Sequence, residues 1–239
     1  MSGGDKVRSF GGFLSRLGGG LHQGDSDPGA PVLPHRHAPE EGTVVPTKAL
    51  RKFLSYLVAH DAPVLLDLGP VVGSNVTFFG EQLNCKVYIE DIFADLDRHV
   101  RAGTLDALPG VLAKRFTLAE GSVDGVLLWD LFDYLDRASA QALAAGLVRL
   151  LRVDGALLGF FSTTAMPDAG FTKFVVADES HLCHRPYPSA ATRQRSLQNR
   201  DIIKMFAGLS VSDSFLLHNN QREILFRKPR PGAGGRAVI

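Results

Sequence analysis

In the stretch VLLDLGPVVGSN, Val64 to Asn75, one acid and two glycines sit where an apolar run breaks open: Asp67, Gly69 and Gly73. An aspartate at the end of a buried strand accepts hydrogen bonds from the amides of the turn that follows, and glycines let that turn approach a ligand closely. Ser74 or Asn75 is placed to cap a helix through Val76, Phe78, Phe79 and Leu83. Strand, glycine turn and helix make a ligand-binding arrangement. Glu90 lies 17 residues past Gly73, at the end of a second apolar run, KVYIE. A carboxylate there can accept hydrogen bonds from both hydroxyls of a ribose, and Asp91 takes its place if the register differs by one. No Gly-Lys-Ser/Thr follows the glycines and no GxGxxG is present, so the phosphate loop and the nicotinamide fingerprint are both excluded. A nucleoside derivative bound without phosphate chemistry is the ligand class that remains.

Three further groups of residues carry chemistry. Trp129, Asp130 and Tyr134, in LLWDLFDYLD, stand at a strand end, where they either touch a ligand or serve as a bulky terminus, a helix cap and a packed aromatic. DESHLCHRPYP, Asp178 to Pro188, gathers His181, Cys183, His184, Arg185 and Tyr187. Its HxCH offers too few converging ligands for a metal, so no metal is assigned. A neutral His181 or His184 is chemically able to act as a general base, and the alternative is a polar loop with satisfied histidines. Arg193, Arg195 and Arg200 either hold an acidic substrate or solvate a helix start. His35 and His37 have no third ligand nearby and are assigned nothing.

The elements that must position these residues follow from periodicity. Leu50, Phe53, Leu54 and Leu57 repeat at helical spacing after Pro46, and this helix leads into the Val64 strand. KVYIE is a second strand, followed by a helix or turn through Phe93, Leu96 and Val100, and then by a poorly patterned stretch to Arg115. Val126 to Trp129 is a third strand, SAQALAAGLVRLL a helix, and GALLGFFS a further strand. RDIIKMFAGL reads as a helix, and VSDSFLLH and EILFRK flank NNQR as an antiparallel hairpin. Such alternation predicts an α/β domain with a doubly wound, mainly parallel sheet over residues 44–229. Residues 1–43, rich in Gly, Pro, His and Asp, predict a flexible arm, and residues 230–239 a flexible tail.

The balance of 26 basic and 25 acidic side chains leaves a formal net charge of +1, so no global field recruits nucleic acid or an anionic membrane. Cys85 and Cys183 are far apart and outside any CxxC, which predicts reduced thiols. No window reaches the ~18 apolar residues of a membrane span. The expectation is a soluble, cytoplasmic protein.

LLDLGPVVG, the acid Glu90, EGSVDGVLLWDLFDYL, LVRLLRVDGALLGFF and the closing hairpin resemble, in order, the successive motifs of class I S-adenosylmethionine-dependent methyltransferases, over Pro46 to Lys228. The resemblance implies a Rossmann-like sheet of seven strands, the last antiparallel, with S-adenosyl-L-methionine as cofactor. It places Asp67, Gly69 and Gly73 at the methionine end, Glu90 on the ribose, Asp91 and Ile92 near the adenine, and Trp129 and Asp130 beside the methyl group. Two positions depart from the family. Val71 stands where a glycine is usual, and the adenine-binding aspartate after the third strand would fall near Leu112 to Lys114, where there is no acid. These departures support a rival reading, a non-catalytic methyltransferase-like binding or regulatory module. No basic-aromatic surface pattern stands out, which favours a small-molecule acceptor; oligomeric state is not indicated.

Overall fold

Two sheets organise the chain in a computed structural model that describes residues 42–164, 170–193 and 197–230. Nearly all of the expected N-terminal arm, the tail beyond 230 and Arg195 lie outside the described residues. The strands are β1 (Thr43–Pro46), β2 (Val64–Asp67), β3 (Lys86–Ile89), β4 (Val123–Trp129), β5 (Leu151–Ser162), β6 (Phe171–Asp178), β7 (His181–Tyr187), β8 (Ser210–Leu216) and β9 (Gln221–Arg227). The α-helices are α1 (Leu50–Leu57), α2 (Gly73–Val76, running on as a π-type turn over Thr77–Gln82), α3 (Ile92–Ala102), α4 (Leu108–Ala113), α5 (Arg137–Leu150) and α6 (Asn199–Met205).

The larger sheet has the order β3-β2-β4-β5-β9-β8. β3, β2, β4 and β5 run parallel, and β9 and β8 close the sheet antiparallel, as the terminal hairpin predicts. Side chains alternate between its two faces. Leu66, Val126, Leu128 and Leu157 pack under α3, α4 and α5, while Leu65, Leu127, Leu158 and Phe160 pack under α1. Both faces are therefore dry, and each fully buried leucine contributes about 1.5–3 kcal/mol. The sheet has six strands rather than the seven that the resemblance implied. The chain between β3 and β4 is helical where the seventh would run: Pro109 opens α4, and Leu108 and Leu112, one turn apart, are its buried residues.

The smaller sheet, β1-β7-β6, is antiparallel. Two expectations change here. Pro46 does not start a helix; it ends β1 opposite His181. α1 starts at Leu50 instead, its approach held by the Glu223 carboxylate, which accepts from the amides of Lys48 at 2.9 Å and Ala49 at 2.7 Å. DESHLCHRPYP is not a loop but the turn and second strand of a β6-β7 hairpin. Cys183 and Arg185 lie on the wetter side of a half-buried ribbon whose other side carries Phe174, Val176, Leu182 and His184.

β6 is an edge strand, and its outer edge is covered by one side chain. Asn75, buried in α2, donates through Nδ2 to the Phe174 carbonyl at 2.8 Å and accepts at Oδ1 from the Val176 amide at 2.8 Å. It copies the pairing of an absent neighbouring strand and ties the hairpin to the glycine turn. Asn75→Ala is expected to cost about 2 kcal/mol in urea unfolding, because two buried backbone groups lose their partners. Faster amide hydrogen exchange confined to β6 and β7 would locate that loss.

Candidate functional site

The winding of the larger sheet reverses at β2. The chain leaves β2 for β3 on one side and returns as β4 on the other, so a crevice lies beyond the carboxyl ends of β2 and β4. Asp67 and Trp129 are the last residues of those two strands. Asp67 Oδ1 accepts from the Gly69 amide at 2.9 Å and from Trp129 Nε1 at 2.6 Å. Burial pushes the Asp67 carboxyl up to about 6, against the pull of those two donors and with some help from the charge of Asp91.

Trp129 takes a left-handed backbone conformation, φ 52°, which is strained for an aromatic residue. Its ring lies nearly parallel to those of Phe174 of the hairpin (centroids 5.1 Å apart) and Phe160 (6.3 Å), which stack on each other at 5.2 Å, so the three rings form one cluster. The indole edge lies against Gly69, where an added Cβ would come within 2.6 Å of Trp129 Cδ1. Gly69 is thus required by the protein's own packing. Gly73 is different: an added Cβ would meet nothing within 4 Å, and its φ is not positive. It opens onto a cleft of roughly 270 Å³, with Val71 and Ser74 on its own side and Lys173, Val175 and Arg185 of the hairpin opposite. Val71 is 65% exposed and fills no part of the interior.

Glu90 follows β3, and its amide donates to the Asp67 carbonyl at 2.8 Å, so its backbone sits directly beside the start of the glycine turn. Its partly exposed carboxylate pairs with Arg115 Nη2 at 2.9 Å, and Arg115 Nε lies 3.4 Å from Asp95. Asp91 caps α3, accepting from the Ala94 amide at 2.9 Å. That bond gives Asp91 a structural duty, and Ile92 is buried in the core.

Beyond the ends of β4 and β5, Asp130 and Tyr134 join residues that sequence reasoning did not connect with them. Arg193, only 8% exposed, donates to Asp130 Oδ2 at 2.7 Å, to Ser162 Oγ at 2.5 Å and to Tyr134 Oη at 3.0 Å, and lies 3.6 Å from Asp133. Asp133 accepts the Ser162 amide on both oxygens, at 3.0 and 3.1 Å. Burial pushes Asp130 up to about 7, opposed by Arg193 and reinforced by Asp133. The signal in the sequence was the i, i+3 spacing of the two acids in DLFDY; a distant arginine partner leaves no local trace. Arg200 is exposed, 3.9 Å from Asp201.

The histidines divide. His181 sits at the hairpin turn, paired with Asp178 at 3.0 Å. His184 packs its ring against Phe174 (4.6 Å), and burial, with the charge of Arg193, lowers it to about 4. The structure therefore brings Asp67, Gly69 and Trp129 into contact, sets Glu90 beside them, and gathers Asp130 and Tyr134 around Arg193. His181 stays on the hairpin turn.

No family model matches the chain, and no curated protein matches it. Solved structures do. One is an S-adenosylmethionine-dependent methyltransferase from Mesorhizobium loti, 12% identical over 75% of this chain and 95% of that one, TM-score 0.47. Another is the CcbJ methyltransferase from Streptomyces caelestis, 15% identical over 75% and 95%, TM-score 0.44. A third is the 1,6-didemethyltoxoflavin-N1-methyltransferase of Burkholderia thailandensis, with bound 1,6-didemethyltoxoflavin and S-adenosylhomocysteine, 18% identical over 76% and 78%, TM-score 0.40. What this chain is similar to in them is the fold.

Proposed function

We propose that the chain binds S-adenosylmethionine at this crevice and directs its methyl group to an acceptor. One observation carries the reading: at the switch point, the partly exposed Glu90 flanks a glycine turn whose second glycine, Gly73, serves no packing need of the fold and faces an open cleft. Glu90 would take the ribose hydroxyls, with Arg115 giving way, and the turn from Gly69 to Gly73 would hold the methionine end. When bound, the sulfonium supplies a methyl group whose departure leaves the electron pair on sulfur. The chain's own work is then alignment and exclusion of water. Asp67 fixes the turn through Gly69 and Trp129, and the Trp129, Phe160 and Phe174 stack supplies a dry wall. His184 at about 4 is a weak base, so an acceptor relying on it would have to arrive almost ready to react.

A small-molecule acceptor fits the near-neutral net charge, and the two free cysteines fit a reducing cytoplasm. Among the described residues no helix is long and apolar enough to cross a membrane. The rival, a non-catalytic module, is favoured by one observation, the indole packed tightly over Gly69.

Calorimetry with S-adenosylhomocysteine separates the two. The expected result is binding at about micromolar strength with a rise in melting temperature. Glu90→Ala should weaken it about tenfold, the loss of hydrogen bonds to a partly exposed carboxylate. A folded protein that gives neither heat nor thermal shift would establish the non-catalytic module instead.

A further inference from the structure

Read from sequence alone, Arg193, Arg195 and Arg200 either hold an acidic substrate or solvate a helix start, and for Arg193 the first alternative is a site for an anion. The structure reverses the sign. Arg193 is spent on internal partners, and the fixed groups at the ends of β4 and β5 are acids: Asp130 at 0% exposure, Asp133 beside it, with Tyr134 and Ser162 completing the enclosure. We propose that Asp130, Asp133, Tyr134 and Ser162 form a cage for a cationic group of the acceptor, a guanidinium or primary ammonium, and that Arg193 fills this cage from within the chain until the acceptor displaces it. The proposal rests on the methyl-transfer reading for the word acceptor and on the cage geometry for everything else.

Three observations support it. Two buried carboxylates face one guanidinium, and Asp130 Oδ1 is buried with no hydrogen-bond partner. A permanent structural pair would be expected to satisfy that oxygen; a cage made for another cation, with donors arranged differently, has a use for it. The lining also has the chemistry of cation recognition. The Arg193 guanidinium lies 5.3 Å from the Tyr134 ring centroid, and Tyr134 Oη, which donates to the Gly170 carbonyl at 2.8 Å, is left as an acceptor toward the cage. Finally, Arg193 is delivered by irregular chain. Residues 188–193, between β7 and α6, belong to no helix or strand, and they are moored through the Ala190 and Ala191 amides to Asp97. Withdrawing Arg193 breaks no sheet or helix. The cage stands at the carboxyl ends of β4 and β5, one residue on from Trp129, at the same end of the sheet as the crevice.

The test uses the full chain and two probes, guanidinium chloride and n-butylammonium chloride, at low millimolar concentration with sodium chloride as control. Amide hydrogen exchange over residues 188–193 of the unaltered protein should rise severalfold on saturation with n-butylammonium, as Arg193 is displaced. Arg193→Ala should be less stable and should recover about 3 °C of melting temperature with guanidinium, by mass action on the folded state. Adding Asp130→Asn should abolish that recovery. Should Arg193→Ala fail to fold, Arg193→Lys replaces it, and the exchange measurement still decides. Rescue of the variant with no change of exchange in the unaltered protein would mean a fixed structural pair and would overturn the proposal, as would the absence of any probe effect. S-adenosylhomocysteine binding, measured separately, tells apart failure of the cage from failure of the methyl-transfer reading: each can be lost while the other persists.

Discussion

Gly69→Ala is expected to destabilise the chain by about 3 kcal/mol, while Gly73→Ala, four residues on in the same turn, leaves stability equal or slightly higher. The first new methyl group would come within 2.6 and 2.7 Å of Trp129 Cδ1 and Nε1. The indole has little room to retreat, because it packs in one aromatic cluster with Phe160 and Phe174 and Asp67 holds its Nε1. Any shift that admits the methyl also stretches the bond to Asp67 and leaves a buried carboxylate short of a donor. At Gly73 the methyl enters open cleft at the start of a helix, where alanine is the better residue. Urea unfolding with unchanged m-values measures both effects. In the proposed function the ligand ranking inverts the stability ranking: Gly73→Ala should fold well and bind S-adenosylhomocysteine poorly. Equal stability of the two variants would show that the indole does not sit on Gly69 in solution.

That contrast shows what local sequence can and cannot carry. The glycine turn was legible because strand, turn and helix are consecutive, and the same holds for β2, β3, β4, β5 and the closing hairpin, whose apolar runs are continuous. Which glycine serves packing and which faces a cleft was not, because the answer lies in Trp129, 60 residues away along the chain from Gly69. The smaller sheet was missed for a related reason. HLCHRPY alternates weakly, and its partners are Thr43–Pro46, from the far end of the domain, and Phe171–Asp178, whose outer edge is held by the Asn75 side chain, which reads locally as a cap. The absent third-strand acid has a simple cause: Leu112 lies in α4 and Lys114 just beyond its end, so the position has no strand to end. The cage around Arg193 belongs to the same class of long-range fact. Asp130 and Arg193 were each singled out in the sequence, but not as partners, and Asp133 was not singled out at all, because the pairing joins residues 63 positions apart.

Asp67 gives the second large effect, through pH. Its carboxyl titrates near 3.8 in the ordinary state and near 6 in the fold, because burial penalises the charge. Between those values the folded chain keeps a proton that the unfolded chain has released, so the stabilisation is complete below about 3.8 and is lost as pH rises through 6. The rise corresponds to about 3 kcal/mol. His184 works in the opposite sense over the same window. Lowered from 6.5 to about 4, it contributes stability that is present above 6.5 and lost as pH falls through 4. The unaltered protein should therefore show a shallower pH profile than either group would impose alone. Asp67→Asn removes one side of that opposition while keeping an oxygen to accept from Gly69 and Trp129. The stability of the variant relative to the unaltered protein should rise by about 2 kcal/mol between pH 4 and pH 7, whatever fixed cost the amide carries, because a fixed cost does not vary with pH. Denaturant titrations at half-unit steps of pH measure this difference directly. A flat difference would mean that water or a cation reaches the Asp67 carboxylate, and that the floor of the crevice is open where the indole is packed against it.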